Sequence, residues 1–447
     1  MKKVLIISEY ITPLQAVGSI RWTKLAKYLA KNEDCEITVL TDEKDFDKAR
    51  PDGNWQRLDA TLAPDRAYLA HYLSVPNGAL LRWYYVRKNR RLVAALGAAA
   101  GMQGALAPQT LPIWKQALLD VVHFGKEQLL AYAAKRFLRG MTLDFDVIIS
   151  TYGPAWPHLA AQWAKRRHPE LCWLADYRDF CYVPGKCLIG KRYYSNFAPR
   201  HTAQADCVLL TGADMADQLR LPPCQKRVCV TNGFDPDDAR PAQATDQFYL
   251  VYTGALYDAG EMKSDMRPVF RALLQLQNAG VLTPQTVQVC YAGSEKDRFL
   301  QQAQECGAQS FAQALGVLPR EQALEWQKKA ALLLMCTWNT PQMCDMTTAK
   351  TYEYMLAAKP ILCTVSGTLA KSGPKNTIET GRLGFCYEQA SDAQDFPALV
   401  AYLARAYAQW QQTGAVAYDA NAQFVAQFAH PQLAHCVAQQ MEKTQQA

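Results

Sequence analysis

The hydrophobic residues of this 447-residue chain alternate between short runs rich in β-branched side chains and longer stretches with helical periodicity. Runs such as Val4–Ser8 are typical of strands that are buried on both faces of a parallel sheet. A helical stretch such as Ile20–Lys31 lies between most of these runs, and this alternation predicts a parallel sheet covered by helices on both faces. The strands predicted in the first half are Val4–Ser8, Glu36–Thr41, Val147–Thr151, Cys172–Ala175, Val208–Thr211 and Val228–Thr231.

A second series of strands and helices follows, so the pattern predicts two α/β domains of the same kind. We expect the junction near Asp235–Thr245, where Asp-Pro-Asp-Asp and other turn-forming residues lie. The predicted domains are residues 1–238 and 239–425, and a C-terminal helix over 426–447 is expected to pack back on the first domain. The strands predicted in the second half are Tyr249–Thr253, Val287–Ala292, Leu332–Cys336, Pro360–Val365 and Gly384–Tyr387.

Residues 55–140 do not fit this alternation. Leu80–Leu96 and Leu111–Leu138 have amphipathic helical patterns that are rich in Trp, Tyr, Arg and Lys. One interpretation is a helical lid or packing insert. The other is a platform for a membrane surface or an acceptor, because aromatic and basic side chains together suit an interface.

Charge and cysteine content narrow the classes of ligand and the cellular compartment to be expected. The net charge of +7 suits an anionic small ligand or an acidic membrane surface, and it is too small to indicate nucleic-acid binding. The 14 cysteines form no C-x-x-C pair, and many lie in apolar runs, as expected in a reducing compartment. No apolar run is long enough to span a membrane, and the N-terminal one is too short for a signal peptide. We therefore expect a cytoplasmic protein.

The first candidate for chemistry is the loop after the first strand. Gly18 allows a ligand close to the backbone, and the helix that begins there offers unpaired N–H groups, with Arg21 one turn further on. The loop lacks the G-x-G-x-x-G pattern of dinucleotide-binding folds, so an ordinary βα turn is the alternative interpretation.

The second candidate is Tyr252-Thr253-Gly254, at the carboxyl end of the first strand of the second half. Open α/β sheets bind their ligands at this edge. Lys263 lies in the following loop, where a lysine can neutralise a pyrophosphate.

The third candidate combines two acids in D-x7-E spacing, Asp345 and Glu353, with small polar residues that open a helix. Backbone amides around Thr348 are expected to face a phosphate, with Lys350 in the same turn. Glu353 lies about one turn further in, where a carboxylate can accept hydrogen bonds from ribose hydroxyls. The alternative for Glu353 is an acid that only stabilises the helix dipole.

A fourth group follows a strand of the first half, at Asp176-Tyr177-Arg178-Asp179. Arg178 is expected to stabilise a leaving diphosphate or to hold an acceptor. The alternative is a structural Arg–Asp pair.

Together these segments resemble the retaining GT-B glycosyltransferases of the large group called family 4. The segments that carry the resemblance are the Gly18 loop, Asp146-Val147-Ile148-Ile149-Ser150-Thr151, Val230-Thr231-Asn232-Gly233-Phe234-Asp235, Tyr252-Thr253-Gly254 and Lys350-Thr351-Tyr352-Glu353-Tyr354-Met355.

The resemblance implies an α/β fold of two Rossmann-like domains whose parallel sheets face a central cleft, with a helical insert in the first. It implies transfer of a sugar, with retention, from a nucleoside-diphosphate sugar to a saccharide or lipid-linked saccharide, in surface polysaccharide biosynthesis and without a metal or another cofactor. In the family an E-x7-E pair holds the donor, and Asp345 departs from it by one methylene. The catalytic residues are then Asp345, Arg178 and Asp176, and the donor-binding residues are Gly18, Arg21, Gly254, Lys263, Gly316, Val317, Thr348, Lys350 and Glu353.

Two other functions fit the same pattern. A non-hydrolysing sugar-nucleotide epimerase shares the fold and the donor site. A non-catalytic subunit that binds nucleotide-sugar is the second alternative, because a fold does not guarantee an activity.

Overall fold

The computed structural model describes residues 1–14, 16–43, 59–81, 112–182, 190–212, 215–241, 243, 245–260, 262–341 and 348–445. The chain divides into two compact units. The N-terminal unit comprises Met1–Thr231 together with Leu433–Ala447, and the C-terminal unit comprises Asn232–Gln432.

The N-terminal unit is built on a seven-stranded parallel sheet with the strand order β3-β2-β1-β4-β5-β6-β7. Hydrophobic side chains from both faces of this sheet form two clusters, as expected for a parallel sheet between helices. Its strands are β1 (Lys2–Ile7), β2 (Cys35–Asp42), β3 (His71–Val75), β4 (Val147–Thr151), β5 (Cys172–Tyr177), β6 (Cys207–Leu210) and β7 (Arg227–Cys229). The helices are α1 (Val17–Asn32), α2 (Ile113–Arg139), α3 (Trp156–Arg167), α4 (Lys191–Ser195), α5 (Phe197–His201) and α6 (Met215–Gln218).

The C-terminal unit contains a six-stranded parallel sheet with the order β12-β11-β8-β13-β14-β15 and a separate two-stranded hairpin, β9–β10. The strands are β8 (Phe248–Thr253), β9 (Asp258–Ala259), β10 (Met262–Lys263), β11 (Val287–Ala292), β12 (Ala312–Gly316), β13 (Leu332–Trp338), β14 (Ile361–Ser366) and β15 (Gly384–Glu388). The helices are α7 (Arg267–Asn278), α8 (Lys296–Glu305), α9 (Arg320–Lys329), α10 (Ala349–Ala357), α11 (Gly373–Thr380), α12 (Asp392–Thr413) and α13 (Ala422–Ala426).

The last helix, α14 (His430–Gln445), leaves the C-terminal unit and packs on the N-terminal one. Its side chains Leu433, Ala434, Val437 and Met441 are buried in the same cluster as residues of β1 and α1. An ion pair between His435 and Glu33 lies at its surface.

Each sheet reverses its strand order once. In the N-terminal unit β1 lies between β2 and β4, and in the C-terminal unit β8 lies between β11 and β13. Helices that follow the two central strands leave on opposite faces at such a point, which opens a crevice at the carboxyl ends of the strands. The predicted fold class, two Rossmann-like α/β units, is therefore confirmed.

Two edge strands and the hairpin were missed by the hydrophobic pattern. β3 lies inside the segment that was predicted to be a helical insert, and it pairs with β2 as the outermost strand of the sheet. The predicted helix Leu111–Leu138 corresponds to α2, whereas most of the other one, Leu80–Leu96, lies outside the described residues. The insert is thus strand and helix together.

Candidate functional site

Gly254 follows the last residue of β8, at the point where the order of the second sheet reverses. Its φ of +115° lies in the region that favours glycine, and its N–H donates to Ala292 O at the end of β11. The next glycine along this edge, Gly293, comes so close that a Cβ on it would lie 2.3 Å from Gly254 O. The carboxyl edge is therefore backbone-lined, as a phosphate-binding surface requires.

Lys350 of α10 fills the space that a side chain on Gly254 would need. A Cβ on Gly254 would lie 2.8 Å from Lys350 Cε and 3.1 Å from Lys350 Nζ. The ammonium donates to the Tyr252 hydroxyl at 2.9 Å and lies 4.5 Å from the centre of the Tyr252 ring. Gly254 and Tyr252 thus fix Lys350 at the carboxyl end of β8.

The charge of Lys350 lacks a counterion within the described part of the chain. Its ammonium has three N–H donors, and among the described residues only the Tyr252 hydroxyl accepts from it. Burial lowers the pKa of Lys350, although Cys336 and the carboxylates of Glu353 and Glu295 oppose that shift. A partly buried cation without a carboxylate partner is stabilised by an anion, so this position suits a phosphate.

The beginning of α10 adds backbone donors. Thr348 is the N-cap residue, but its hydroxyl lies 3.6 Å from Met335 Sδ and does not cap the helix. The first turn contains no acidic residue. Thr351 N donates to Thr348 O, and no acceptor in the described part of the chain takes the amides of Ala349 and Lys350. These amides and the positive end of the helix dipole therefore suit an anion.

Glu353 lies one turn inside α10 with its carboxylate 26% exposed. Oε1 accepts a hydrogen bond from Gln327 Nε2 at 2.6 Å, and Oε2 lies 3.5 Å from Arg320 Nη2. The same Gln327 nitrogen donates to Thr253 Oγ1 at 2.9 Å. The carboxylate is thus held in place while part of it remains accessible to a ligand.

For three other predicted residues of this unit, no hydrogen bond or ion pair to Lys350 or Glu353 is found among the described residues. Gly316, with φ of +72°, ends β12 and accepts from Gly293 N, and the following Val317 is exposed. Lys263 lies in β10 with an exposed side chain, and its ammonium has no hydrogen-bond partner in the described ranges. Asp345 lies outside the described residues. The roles predicted for these four residues stay predictions.

In the N-terminal unit, Arg178 packs against the beginning of α1. A Cβ on Gly18 would lie 1.4 Å from Arg178 Nη1, so only glycine leaves room for the guanidinium. Arg178 donates to the carbonyl oxygens of Tyr152 and Gly153, and it lies 4.6 Å from the centre of the Tyr10 ring. The predicted residues Gly18 and Arg178 are therefore neighbours at the carboxyl edge of the first sheet.

Arg21 and Asp176 form a buried ion pair with each other. Arg21 Nη2 lies 2.7 Å from Asp176 Oδ1, and Trp22 Nε1 donates to Asp176 Oδ2 at 2.7 Å. Asp176 has no exposed surface, and Arg21 also donates to Val230 O. This geometry fixes the ends of β5 and β7 to α1. The predicted donor-binding and catalytic roles of this pair stay predictions, and we leave both residues out of the proposed site.

Sequence reasoning missed Gln327 and Arg320 as members of the site, and it placed Tyr252 in a candidate motif without giving it a role. Tyr252 and Lys350 are 98 positions apart, and Gln327 and Glu353 are 26 apart. A glutamine near the end of a helix has no distinctive pattern of its own. Only the position of Tyr252 in the motif Tyr-Thr-Gly was a usable signal.

Metal-binding groups and membrane-spanning helices are both absent from the described residues. Within them, no group of three or more His, Cys, Asp and Glu side chains is placed to hold a metal ion. No helix of the described ranges is both long and apolar enough to cross a membrane.

Comparisons with solved structures identify the fold as GT-B. A lipopolysaccharide outer core galactosyltransferase, WaaB, is 13% identical with a TM-score of 0.55, and the alignment covers 99% of each chain. The N-terminal domain of a trehalose-6-phosphate phosphatase from Candida albicans is 10% identical with a TM-score of 0.61, covering 99% of this chain and 97% of that one. A trehalose-6-phosphate synthase is 11% identical with a TM-score of 0.53, covering 98% and 99%.

No protein-family model matches the sequence, and no curated protein matches it. At these identities the structural likeness shows a shared fold, and one fold hosts different activities. The function must therefore be argued from the side chains of this chain.

Proposed function

We propose that this protein is a glycosyltransferase that moves a sugar from a nucleoside-diphosphate sugar to a saccharide or lipid-linked saccharide acceptor. The GT-B fold supports the proposal, since two of the similar structures are those of a galactosyltransferase and of a trehalose-6-phosphate synthase. That synthase performs glycosyl transfer with retention, and we propose retention here as well.

The observation that carries the proposal is the position of Lys350. It brings a positive charge, which has no carboxylate partner among the described residues, to the carboxyl edge of β8, where open α/β sheets bind nucleotides. The lysine side chain reaches from the start of α10, which no described side chain caps, to the backbone at Gly254. We assign the diphosphate of the donor to this position and the ribose to Glu353.

The chemistry proposed is a substitution at the anomeric carbon. The bond from that carbon to the diphosphate oxygen breaks, and a bond to the acceptor oxygen forms on the same face. The proton of the acceptor hydroxyl goes to the diphosphate oxygen that leaves. Lys350 and the α10 amides stabilise the charge that develops on the diphosphate, and we propose that Arg178 of the N-terminal unit contributes to the transfer.

The surface of α2 supports an acceptor that is tied to a membrane. The helix carries five basic residues against two acidic ones. It also presents six large hydrophobic side chains that are more than half exposed, namely Ile113, Trp114, Leu118, Leu119, Val121 and Tyr132. Exposed patches of this kind mark interaction sites, and the aromatic and basic residues favour an anionic lipid surface. We therefore propose contact with the cytoplasmic face of a membrane and a role in surface polysaccharide biosynthesis.

Co-sedimentation with vesicles tests the membrane contact. We expect the protein to bind vesicles of anionic phospholipid at low salt, and the double variant Trp114→Ser, Leu118→Ser to lose that binding. The matched control is Val281→Ser with Leu300→Ser, because these side chains are exposed to about 40% in the C-terminal unit. Equal binding of the two double variants would contradict the proposal.

Product analysis tests the activity itself. The protein is incubated with a panel of nucleoside-diphosphate sugars and with lipid and saccharide extracts as acceptors. The proposal predicts release of nucleoside diphosphate that requires an acceptor, and a product whose anomeric configuration is that of the donor. Conversion of the donor into another nucleotide sugar without acceptor would indicate an epimerase. Binding of donor without any conversion would indicate a non-catalytic subunit.

A further inference from the structure

Gln327 connects the two halves of the proposed donor site. This residue of α9 is 2% exposed, and its side-chain nitrogen donates both to Glu353 Oε1 and to Thr253 Oγ1. Thr253 is the last residue of β8 and directly precedes Gly254, where Lys350 packs. One buried amide therefore ties the carboxylate of α10 to the strand end that carries the lysine.

The partners fix how the amide is turned. A carboxylate accepts hydrogen bonds only, so the group that faces Glu353 at 2.6 Å has to be the NH₂ of the glutamine. Its two hydrogens are then used by Glu353 and Thr253, which leaves the side chain no alternative orientation of equal energy. A glutamate at this position would place a second carboxylate against Glu353.

The guanidinium of Arg320 lies beside the other oxygen of the carboxylate, with Nη2 3.5 Å from Glu353 Oε2. Because Gln327 occupies one lone pair of Oε1, the carboxylate keeps lone pairs on both oxygens for further donors. Two adjacent hydroxyls, as in a ribose, match this arrangement. Removing Gln327 would free the carboxylate to rotate or to take water.

We propose that Gln327 is a positioning residue that makes the site selective for ribose over deoxyribose. This inference rests on the proposed function, since it assumes that Glu353 receives the sugar of a nucleotide. The amide orients Glu353 towards both hydroxyls, so its loss is expected to cost the ribonucleotide more affinity than the deoxyribonucleotide.

Calorimetric titration tests the role of Gln327. The protein is titrated with UDP, ADP and GDP, and then with the 2′-deoxy form of the nucleotide that binds most tightly. The wild type is expected to prefer the ribonucleotide by about tenfold, which corresponds to one good hydrogen-bonding interaction. In Gln327→Leu this preference is expected to fall below about threefold, with the Kd of the deoxynucleotide changed less than that of the ribonucleotide.

A matched control is Gln302→Leu. Gln302 is also buried in the C-terminal unit, but its amide bonds the backbone of Ser264 and Met266. It is expected to lose stability without changing the ribose preference. Thr253→Val removes only the second acceptor of Gln327 and is expected to reduce the ribose preference in part. It tests the same role if Gln327→Leu does not fold.

The possible outcomes distinguish the role of Gln327 from the proposed function. A Gln327→Leu protein that keeps the full preference, or that loses affinity equally for both nucleotides, overturns the positioning role and leaves the proposed function intact. A wild type that binds a nucleotide but does not prefer ribose over deoxyribose also overturns the positioning role and leaves the proposed function intact. A wild type that binds no nucleoside diphosphate overturns both.

Discussion

The ammonium of Lys350 lies 3.1 Å from the point where a Cβ on Gly254 would be. The lysine therefore fills the space that a side chain at position 254, directly after β8, would need. This relationship explains two features at once. The glycine is needed both for its φ of +115° and for the space that the lysine fills. The lysine, in turn, is held where the edge of the sheet exposes backbone to a ligand.

The first prediction concerns Gly254. A Gly254→Ala substitution forces Lys350 to move and strains the backbone, which costs about 1–3 kcal/mol of stability. We expect the affinity for nucleoside diphosphates to fall about tenfold, because the displaced ammonium loses its contact with phosphate. Thermal melting and calorimetric titration measure the two effects.

The control for this substitution is Gly280→Ala. Gly280 has a φ of +71°, but a Cβ there would meet no atom within 4 Å. It is expected to lower the melting temperature without changing nucleotide affinity. If both variants lose affinity alike, backbone strain is the cause and the role given to Lys350 is wrong.

The second prediction concerns Arg178, whose guanidinium occupies the space above Gly18. Arg178→Ala is expected to lower kcat/KM for transfer at least about tenfold, which corresponds to about 1.4 kcal/mol of lost transition-state stabilisation. Arg167→Ala is the control, since Arg167 also lies over an aromatic ring, that of Trp163. Steady-state kinetics that do not distinguish the two variants would remove Arg178 from the site.

The third prediction concerns stability at low pH. His158 is fully buried, and burial lowers its pKa to about 3, whereas an unfolded histidine titrates near 6.5. The unfolded state therefore binds the proton first, and the contribution of a neutral His158 to stability is lost as the pH falls below 6.5. Repulsion by the neighbouring His201 is the second cause of the lowered pKa of His158.

His158→Asn lacks this contribution. The difference in unfolding free energy between wild type and variant is expected to shrink by about 1.4 kcal/mol between pH 7.5 and pH 5.5. Urea unfolding at the two pH values measures it. A difference that stays constant over this range would show that His158 takes up its proton in the folded protein as well.

The fourth prediction concerns metal ions. The proposed chemistry neutralises the diphosphate with Lys350 and the amides of α10, so no divalent cation is needed. Transfer rates are expected to be the same in excess EDTA and in added Mg²⁺ or Mn²⁺. A rate that falls to background with EDTA and recovers with one of these ions would contradict this part of the account.

The sequence pattern predicted the central strands of both sheets because they are apolar on both faces. All seven residues of β13 are buried, and so are all five of β4. The edge strands β3 and β12 are only partly buried, and their sequences HYLSV and AQALG carry no continuous apolar run. A pattern that reports burial therefore missed these two edge strands, although it predicted β7 and β15 at the other edges.

The site was predictable only where its members are close in sequence. Lys350 and Glu353 were predicted because one helix start carries both. The contacts of Lys350 with Tyr252 and of Glu353 with Gln327 join different elements, and they become visible only when the strands are in place. For Arg178 the sequence left open a structural Arg–Asp pair. The structure shows one, with Arg178 Nε 3.4 Å from Asp179 Oδ2, and it shows a second, buried pair between Arg21 and Asp176.

Isothermal titration of wild type and Lys350→Met with UDP, ADP and GDP tests the central claim most directly. The control is Lys359→Met, because Lys359 lies at the opposite edge of the sheet, just before β14. The account predicts that the wild type and Lys359→Met bind at least one of these nucleotides equally well, and that Lys350→Met binds it at least about tenfold more weakly. No binding by the wild type, or equal binding by Lys350→Met, would contradict it.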